Sequence, residues 1–584
     1  MGMVYIMKRL IIILSVVLTV VLSSFNLSMA SHGHSKSHHT EGLKDGDMIN
    51  IAGIVLDNHG EPVGEVKISI LVNGKLMDEI ETAHNGKYIS RFYLPKGEIK
   101  DSIIHIKAEK ASFKTEILEF KGSELATKDN HYYISEDIKI RRVLGPAFWT
   151  ATIIFLLAYI LIAFEVLHRT VAAMIGAALL MLVSYTIGTI DPAFHIFSFE
   201  KAIHSIDMNV IFLLMGMMII VGVLKNTGVF QWCAYFAYKL AKGNVFLLMI
   251  YLMVFTAVAS AFLDNVTTML LLTGVAIEIA ISLSINPLII LIPLIMASNV
   301  GGTATLIGDP PNIMIGSYAG LTFTDFVIAL SLICALSMVV LFIYTKLLWG
   351  KGYSSAKVDD VQKHIEELKE KYQITDPDLL KYGLGVLAFA IILFLTHGYW
   401  HMEVSIAALM GASILLTIAI FTQKVNLMEL IEKDIEWPTL MFFIFLFIIV
   451  GAVEEAGLLS LIADWILKLS KGNFYIACTL IIWVAAIMSA FVDNIPFTAT
   501  MLPIVSYLST VIPGAENTLW WALAVGACFG GNGTIIGASA NVVTMGIAES
   551  RGYHMSFMDF LKVAFPYMCL SVLVGHLWLL FFRP

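Results

Sequence analysis

Residues 260–272 read SAFLDNVTTMLLL and residues 297–312 read ASNVGGTATLIGDPPN. With an apolar run between them, they set an aspartate, several asparagines and threonines, a glycine pair and a Pro-Pro inside sequence oily enough for a bilayer. An ionisable side chain at membrane depth costs about 2.5 to 3.5 kcal/mol on insertion scales, so it faces a cavity and marks an ion or substrate path. Interrupted helical sequence is tolerated at that depth where it lines such a cavity.

The pattern occurs twice. A shift of 229 positions lays Lys242-Gly243-Asn244 on Lys471-Gly472-Asn473, Ser260-Ala261-Phe262 on Ser489-Ala490-Phe491, and Asp264-Asn265 on Asp493-Asn494. It also lays Gly301-Gly302 on Gly530-Gly531, Thr305 on Thr534 and Asn312 on Asn541. Chance similarity between apolar segments matches Leu to Ile; it does not keep rare polar residues in register. Repeats with interrupted hydrophobic segments at matching places point to a transporter's binding site.

The 584 residues are 58% hydrophobic and 14% charged, with a mean hydropathy of +0.81, the composition of a polytopic membrane protein. A net charge of -8 leaves no footprint for nucleic acid. The five cysteines (Cys233, Cys334, Cys478, Cys528, Cys569) show neither a disulfide framework nor a zinc spacing. Residues 1–30 carry Lys8-Arg9, a short apolar run from Leu10 to Leu22 and Ser28-Met29-Ala30, which reads as a secretory signal peptide, with an uncleaved anchor as the alternative. Residues 31–48 form a His-rich linker with His32, His34, His38 and His39, more a flexible spacer than a metal tract.

Residues 49–142 alternate apolar and polar positions in short runs (INIAGIVL, VKISILV, YISRFYL, IIHIKA, KTEILEF), punctuated by Asn73-Gly74 and Asn85-Gly86. The pattern predicts about seven hairpin-joined strands in a small extracytoplasmic β-sandwich. The run GIVLDNHGEPVGEVKISI resembles the carboxypeptidase-regulatory-like, or transthyretin-like, fold. It presents no acid pair, nucleophile or metal cluster and is read as a binding or stabilising module.

Residues 147–349 and 379–584 are two membrane repeats, and the polar residues 350–378 are a solvated cytoplasmic linker between them. Each repeat holds five spans of about 20 residues, enough to cross some 30 Å of hydrocarbon, plus a two-armed element meeting at its Asp-Asn pair. An odd number of crossings per half makes the halves inverted. Basic residues at His168-Arg169, Lys225, Lys239, Lys242, Lys424, Lys433, Arg551 and Lys562 set the inner side, with the β-domain outside; Lys139, Arg141 and Arg142 run against that assignment.

SAFLDNVTTMLL and ASNVGGTATLIGDPPNIMI closely resemble the ion-transporter superfamily, in the ArsB/NhaD permease branch that contains the melanosomal P protein and the NhaD-type sodium/proton antiporters. The resemblance runs from about Trp149 to Phe582 and departs where Gly308-Asp309-Pro310-Pro311-Asn312 becomes Gly537-Ala538-Ser539-Ala540-Asn541, so a role for Asp309 has no symmetric partner. It implies that the Asp-Asn pairs tip two re-entrant hairpins, that the glycine-rich breaks are unwound centres of discontinuous helices, that one bundle moves against a scaffold in a bacterial-type inner membrane, and that the carrier is a homodimer.

Dicarboxylate carriers of this superfamily have a serine at the tips. Two aspartates there repel an anion and favour an inorganic cation, sodium or lithium, which carboxylate, amide and carbonyl oxygens suit. The candidate ion-binding set is Asp264, Asn265, Thr267, Asn299, Gly301, Gly302, Thr303, Thr305 and Asn312, with Asp493, Asn494, Gly530, Gly531, Asn532, Thr534 and Asn541. Asp264 and Asp493 are the sodium ligands and the proton-coupling groups, and cation and proton compete for them. Asn265 and Asn494 are equally suited to capping a helix, and the glycine pairs to close helix packing. Glu278 fits a snorkelling interfacial group better than a proton relay. A carrier of arsenite, a carboxylate or another anion is the rival of the same fold, favoured by arginines beside the tips, whose sequences contain none. A non-transporting receptor is the rival of another class. Nothing in the sequence points to an enzyme or a bound cofactor.

Overall fold

The computed structural model describes residues 47–582 other than 58–59, 61, 84, 96, 111–112, 129–130, 142, 164–166 and 355–360. The expected signal peptide and almost all of the expected His-rich linker lie outside the described residues. The chain divides into two compact units between Val143 and Leu144.

Among its described residues the first unit has nine strands: β1 (Asp47–Leu56), β2 (Lys67–Val72), β3 (Lys75–Glu81), β4 (Lys87–Leu94), β5 (Ile103–Glu109), β6 (Glu116–Lys121), β7 (Ala126–Lys128), β8 (His131–Ser135) and β9 (Ile138–Lys139). They form two sheets, β4-β1-β8-β7 with β9 on β1, and β3-β2-β5-β6. Ile49, Ile51 and Tyr88 of one sheet and Ile68, Ile70, Ile104 and Ile106 of the other share a core, as strict alternation requires. Asn73 and Gly74 both adopt positive φ (51° and 78°), the type I′ turn that matches strand twist in a two-residue hairpin. The expected seven strands joined by hairpins are corrected to nine. β1 runs parallel to β8 and β9, and the last three strands are too short for an alternation to announce them.

The second unit is helical, and eleven of its described helices are long and apolar enough to cross a membrane. Its described helices of ten residues or more are, in order, α1 (Pro146–Ala163), α2 (Arg169–Tyr185), α3 (Met208–Lys225), α4 (Val229–Ala241), α5 (Val245–Phe262), α6 (Asn265–Ser282), α7 (Leu288–Thr303), α8 (Pro310–Ala319), α9 (Phe323–Ser354), α10 (Val361–Lys371), α11 (Pro377–Thr396), α12 (Val404–Phe421), α13 (Trp437–Ala456), α14 (Leu458–Ser470), α15 (Phe474–Phe491), α16 (Asn494–Val511), α17 (Thr518–Gly530), α18 (Ser539–Ser550) and α19 (Phe557–Phe582), with short helical turns between some of them. The starts of α3, α4, α5, α6 and α8 recur at α13, α14, α15, α16 and α18 at the same 229-residue shift.

Local chemistry sets these boundaries. Lys242 and Gly243, like Lys471 and Gly472, take positive φ and stop one helix. The Asn that follows starts the next: Asn244 Oδ1 accepts from Leu247 N at 3.0 Å and Asn473 Oδ1 from Tyr475 N at 2.9 Å, the N-cap arrangement.

Packing follows the repeat. α5 lies on α7 and α15 on α17, while α3 packs on α12 and α13 on α2; α8 then crosses to α16 and α18 to α6.

The linker between the halves is corrected. α10 is docked on α4, with Leu368 and Tyr372 buried and Lys371 Nζ 2.8 Å from Glu278 Oε2. The apolar side of one amphipathic helix is enough to hold it there.

Candidate functional site

The hairpins α5–α6 and α15–α16 turn at Asp264 and Asp493, and here capping falls to the aspartates rather than the asparagines. Asp264 Oδ1 accepts from Thr267 N at 2.9 Å and its Oδ2 from Thr267 Oγ1 at 2.5 Å. Asp493 Oδ1 accepts from Ile495 N at 3.1 Å. Asn265 and Asn494 become the first helical residues, both buried.

That one-residue difference aims the asparagines inward. Asn265 Nδ2 donates to Asn299 Oδ1 at 3.2 Å. Asn299 in turn donates from Nδ2 to Asn532 Oδ1 and to Asn541 Oδ1, both at 3.1 Å. Asn299 is thus the hub of an amide cluster built from both repeats. On the other side, Asn494 Nδ2 donates to Asp309 Oδ1 at 3.3 Å. Cys528, the sequence counterpart of Asn299, offers its thiol to Asn312 Oδ1 at 3.5 Å and sits beside Asp309 and Thr303.

Asp309 is the residue that the candidate set omits. It has no solvent exposure, its Oδ2 has no hydrogen-bond partner, and Asn532 Nδ2 is likewise unpartnered. It lies within electrostatic reach of both Asp493 and Asp264. An unpaired buried carboxylate oxygen is expensive, and Asp309 bears that cost beside the amide cluster.

Several expected ligands do other work. Gly301 and Gly530 are packing positions: a Cβ on Gly301 would meet the Ala257 carbonyl oxygen at 2.2 Å and one on Gly530 the Ala486 carbonyl oxygen at 2.6 Å. Gly302 and Gly531 similarly face the backbone of Gly308 and Gly537. Several backbone carbonyls in the breaks accept from asparagine amides. Asn312 Nδ2 takes Thr303 O at 3.0 Å and Thr305 O at 2.8 Å, and Asn541 Nδ2 takes Gly531 O at 2.7 Å and Thr534 O at 2.8 Å. Thr305 and Thr534 donate to the Ala261 and Ala490 carbonyls at the ends of α5 and α15. Thr303 Oγ1 bonds back to Asn299 O at 2.7 Å. The breaks therefore satisfy their own backbone, as a buried interruption must. Among the described residues no three His, Cys, Asp or Glu side chains converge as a metal cluster.

An arginine does reach a tip. Arg169, the first residue of α2, brings Nη1 to 3.0 Å from Asp493 Oδ2. The same guanidinium donates to Ser539 Oγ and, through Nη2, to Thr439 Oγ1 at 3.3 Å. It lies 5.2 Å from the Phe442 ring centroid. Ser539 Oγ also donates to Asp493 Oδ2 at 2.9 Å. Arg169, Asp493 and Ser539 line a cavity of about 440 Å³ together with His168, Ile536 and Val542. Sequence separation hides the arginine, because Arg169 sits among the basic residues that mark span ends.

A family described as Citrate transporter, CitMHS, matches residues 159–526. The chain belongs to the CitMHS family. It is accordingly an integral membrane transporter and not an enzyme. An uncharacterised transporter of Mycobacterium tuberculosis is 40% identical to this CitMHS chain over 437 residues, covering 74% of this chain and 98% of that protein. The P protein of Homo sapiens is 35% identical over 506 residues, covering 74% of this chain and 59% of its own length. The crystal structure of the YdaH transporter of Alcanivorax borkumensis superposes with a TM-score of 0.51 at 14% identity, covering 71% of this chain and 99% of that one; this likeness is one of fold.

Proposed function

We propose that this CitMHS transporter exchanges sodium or lithium for protons, with Asp264 and Asp309 as the carboxylates over which cation and proton compete, and with amide oxygens of the Asn265, Asn299, Asn494 and Asn532 group as neutral ligands. The observation that carries the reading is Asp309, fully buried, with one oxygen held by Asn494 and the other without a partner. A hard monovalent ion is satisfied by such oxygens, and a proton satisfies the same carboxylates when the ion leaves. In this reading the halves are inverted, the β-domain lies on the outer side of a bacterial-type inner membrane, and the carrier is a homodimer.

The test is dequenching of a pH-sensitive dye in everted vesicles on adding sodium, lithium or potassium chloride. A sodium or lithium signal that disappears in Asp264→Asn supports the exchange; silence from every cation between pH 6 and 9 removes it. Labelling of Lys100→Cys by an impermeant maleimide in intact cells tests the orientation, which is wrong if only lysed cells react.

A second reading has its own support. The Arg169 guanidinium lines the cavity beside Asp493, guanidinium suits carboxylate recognition, and the family is described as Citrate transporter. Uptake of radiolabelled citrate by proteoliposomes, unaffected by a sodium gradient, would favour a carboxylate carrier.

A further inference from the structure

We propose that Arg169 is the resident cation of the second hairpin tip. Its guanidinium takes the place at Asp493 that a transported ion would occupy, and so leaves one exchangeable cation site, at Asp264 and Asp309, in a protein whose sequence repeat suggests two. The inference rests on the cation/proton reading above and sets its stoichiometry.

The two tips are alike in sequence and in capping, yet unlike in partner. Asp493 Oδ2 is held by Arg169 Nη1 at 3.0 Å and by Ser539 Oγ at 2.9 Å. Asp264 has Thr267 alone in those places and, among the described residues, no cationic partner. The asymmetry is written into the chain. Pro310 stands at the sequence position that matches Ser539. The counterpart of α2 in the second repeat is α12, which packs on α3 as α2 packs on α13, and α12 opens with Val404 where α2 opens with Arg169.

The guanidinium is also held against local preference. A cation in the first turn of a helix opposes the macrodipole, and Arg169 follows directly on the N-cap His168. What fixes it there is the set formed by Asp493, Ser539, Thr439 and the Phe442 ring. Such a fork supplies to one carboxylate the directed charge that a bound ion would supply. With Asp493 compensated internally, and Glu436 within electrostatic reach of Arg169 and Lys225 as well as of Asp264, Asp264 and Asp309 are left to be neutralised from solution.

The inference is tested on the purified full-length protein in detergent. The thermal unfolding midpoint is titrated with sodium chloride against choline chloride, since an ion that binds the folded state raises the midpoint by mass action. The parent and Arg169→Lys give single-site isotherms. Arg169→Gln frees Asp493 and gives a two-site isotherm. Asp493→Asn leaves an unpaired guanidinium beside the site and weakens sodium by about tenfold or more. The double variant Arg169→Gln, Asp493→Asn removes both charges and recovers parent affinity to within about threefold, as a cycle for a paired interaction requires. A double variant that behaves like Asp493→Asn, in folding or in sodium response, overturns the inference, because Asp493 would then be an ion ligand itself. An Arg169→Gln protein that folds and stays single-site also overturns it. If the parent ignores sodium and lithium altogether, the exchange reading has failed and this inference falls with it.

Discussion

Asn494 donates its amide to Asp309 Oδ1 at 3.3 Å, so the tip of the second hairpin is tied to the break of the first repeat. The tie crosses between halves that carry different residues at the matching place, Asp309 in one and Ala538 in the other.

Asp309→Asn keeps the shape and removes the charge. Sodium-dependent proton movement in vesicles should fall by about tenfold or more, since an amide cannot replace a carboxylate towards a hard cation. The thermal midpoint without sodium should hold or rise, because an uncompensated buried carboxylate is itself destabilising. Loss of transport together with a lower midpoint would make Asp309 a structural residue.

Asn299→Ala removes the hub of the amide cluster and takes away the partner of Asn265 Nδ2 and the donor to Asn532 Oδ1 and Asn541 Oδ1. Leaving buried polar groups unpaired costs about 2 kcal/mol or more, against less than about 1 kcal/mol for Cys528→Ala, whose thiol is a weak donor. Guanidinium or heat denaturation of the two variants side by side checks the order; equal losses would contradict it.

Gly301→Ala forces a Cβ onto the Ala257 backbone at 2.2 Å, where no flexible side chain can give way, whereas a Cβ on Gly546 meets nothing within 4 Å. The first should lose most of its folded yield by fluorescence-detected size exclusion. The second should match the parent or gain up to about 1 kcal/mol from helix propensity.

Leu368→Asp puts a charge on the buried face of α10 and should undock it from α4. Limited trypsin digestion at Lys369 and Lys371 would then cut the variant readily and the parent slowly. Equal cutting would mean that the linker is not held.

The span boundaries were legible because apolar length and the Lys-Gly-Asn stops are local signals. The repeat was legible because Asp-Asn and Gly-Gly keep their register, and Asn265 with Asn494 and Asn312 with Asn541 follow from it, whereas Asn299 and Asn532 fall on Cys528 and Thr303. What the sequence hid depends on contacts across the fold. Capping by Asp264 instead of Asn265 is a one-residue shift in helix start, below the precision of any pattern. The bonds that Thr305 and Thr534 donate to the Ala261 and Ala490 carbonyls also depend on the fold. Asp309 had a signal, an acid in an apolar break, that the search for symmetric pairs set aside. Arg169 had none, because only the docking of α2 beside the second hairpin brings it to Asp493.

The side chains that complete one another lie far apart in the order of synthesis. Asn299 and Asp309 emerge in the first repeat, and the partner of Asp309 follows 185 residues later, those of Asn299 233 and 242 residues later. During that interval the nascent first half holds the Asn299 amide nitrogen and the Asp309 carboxylate without these partners, although Asn265 already meets the Asn299 oxygen. Entry of the second half therefore does more than double the helix count: it quenches these groups, and a chain arrested between the halves presents to the cell's proteases the polar surface by which a misassembled membrane protein is recognised.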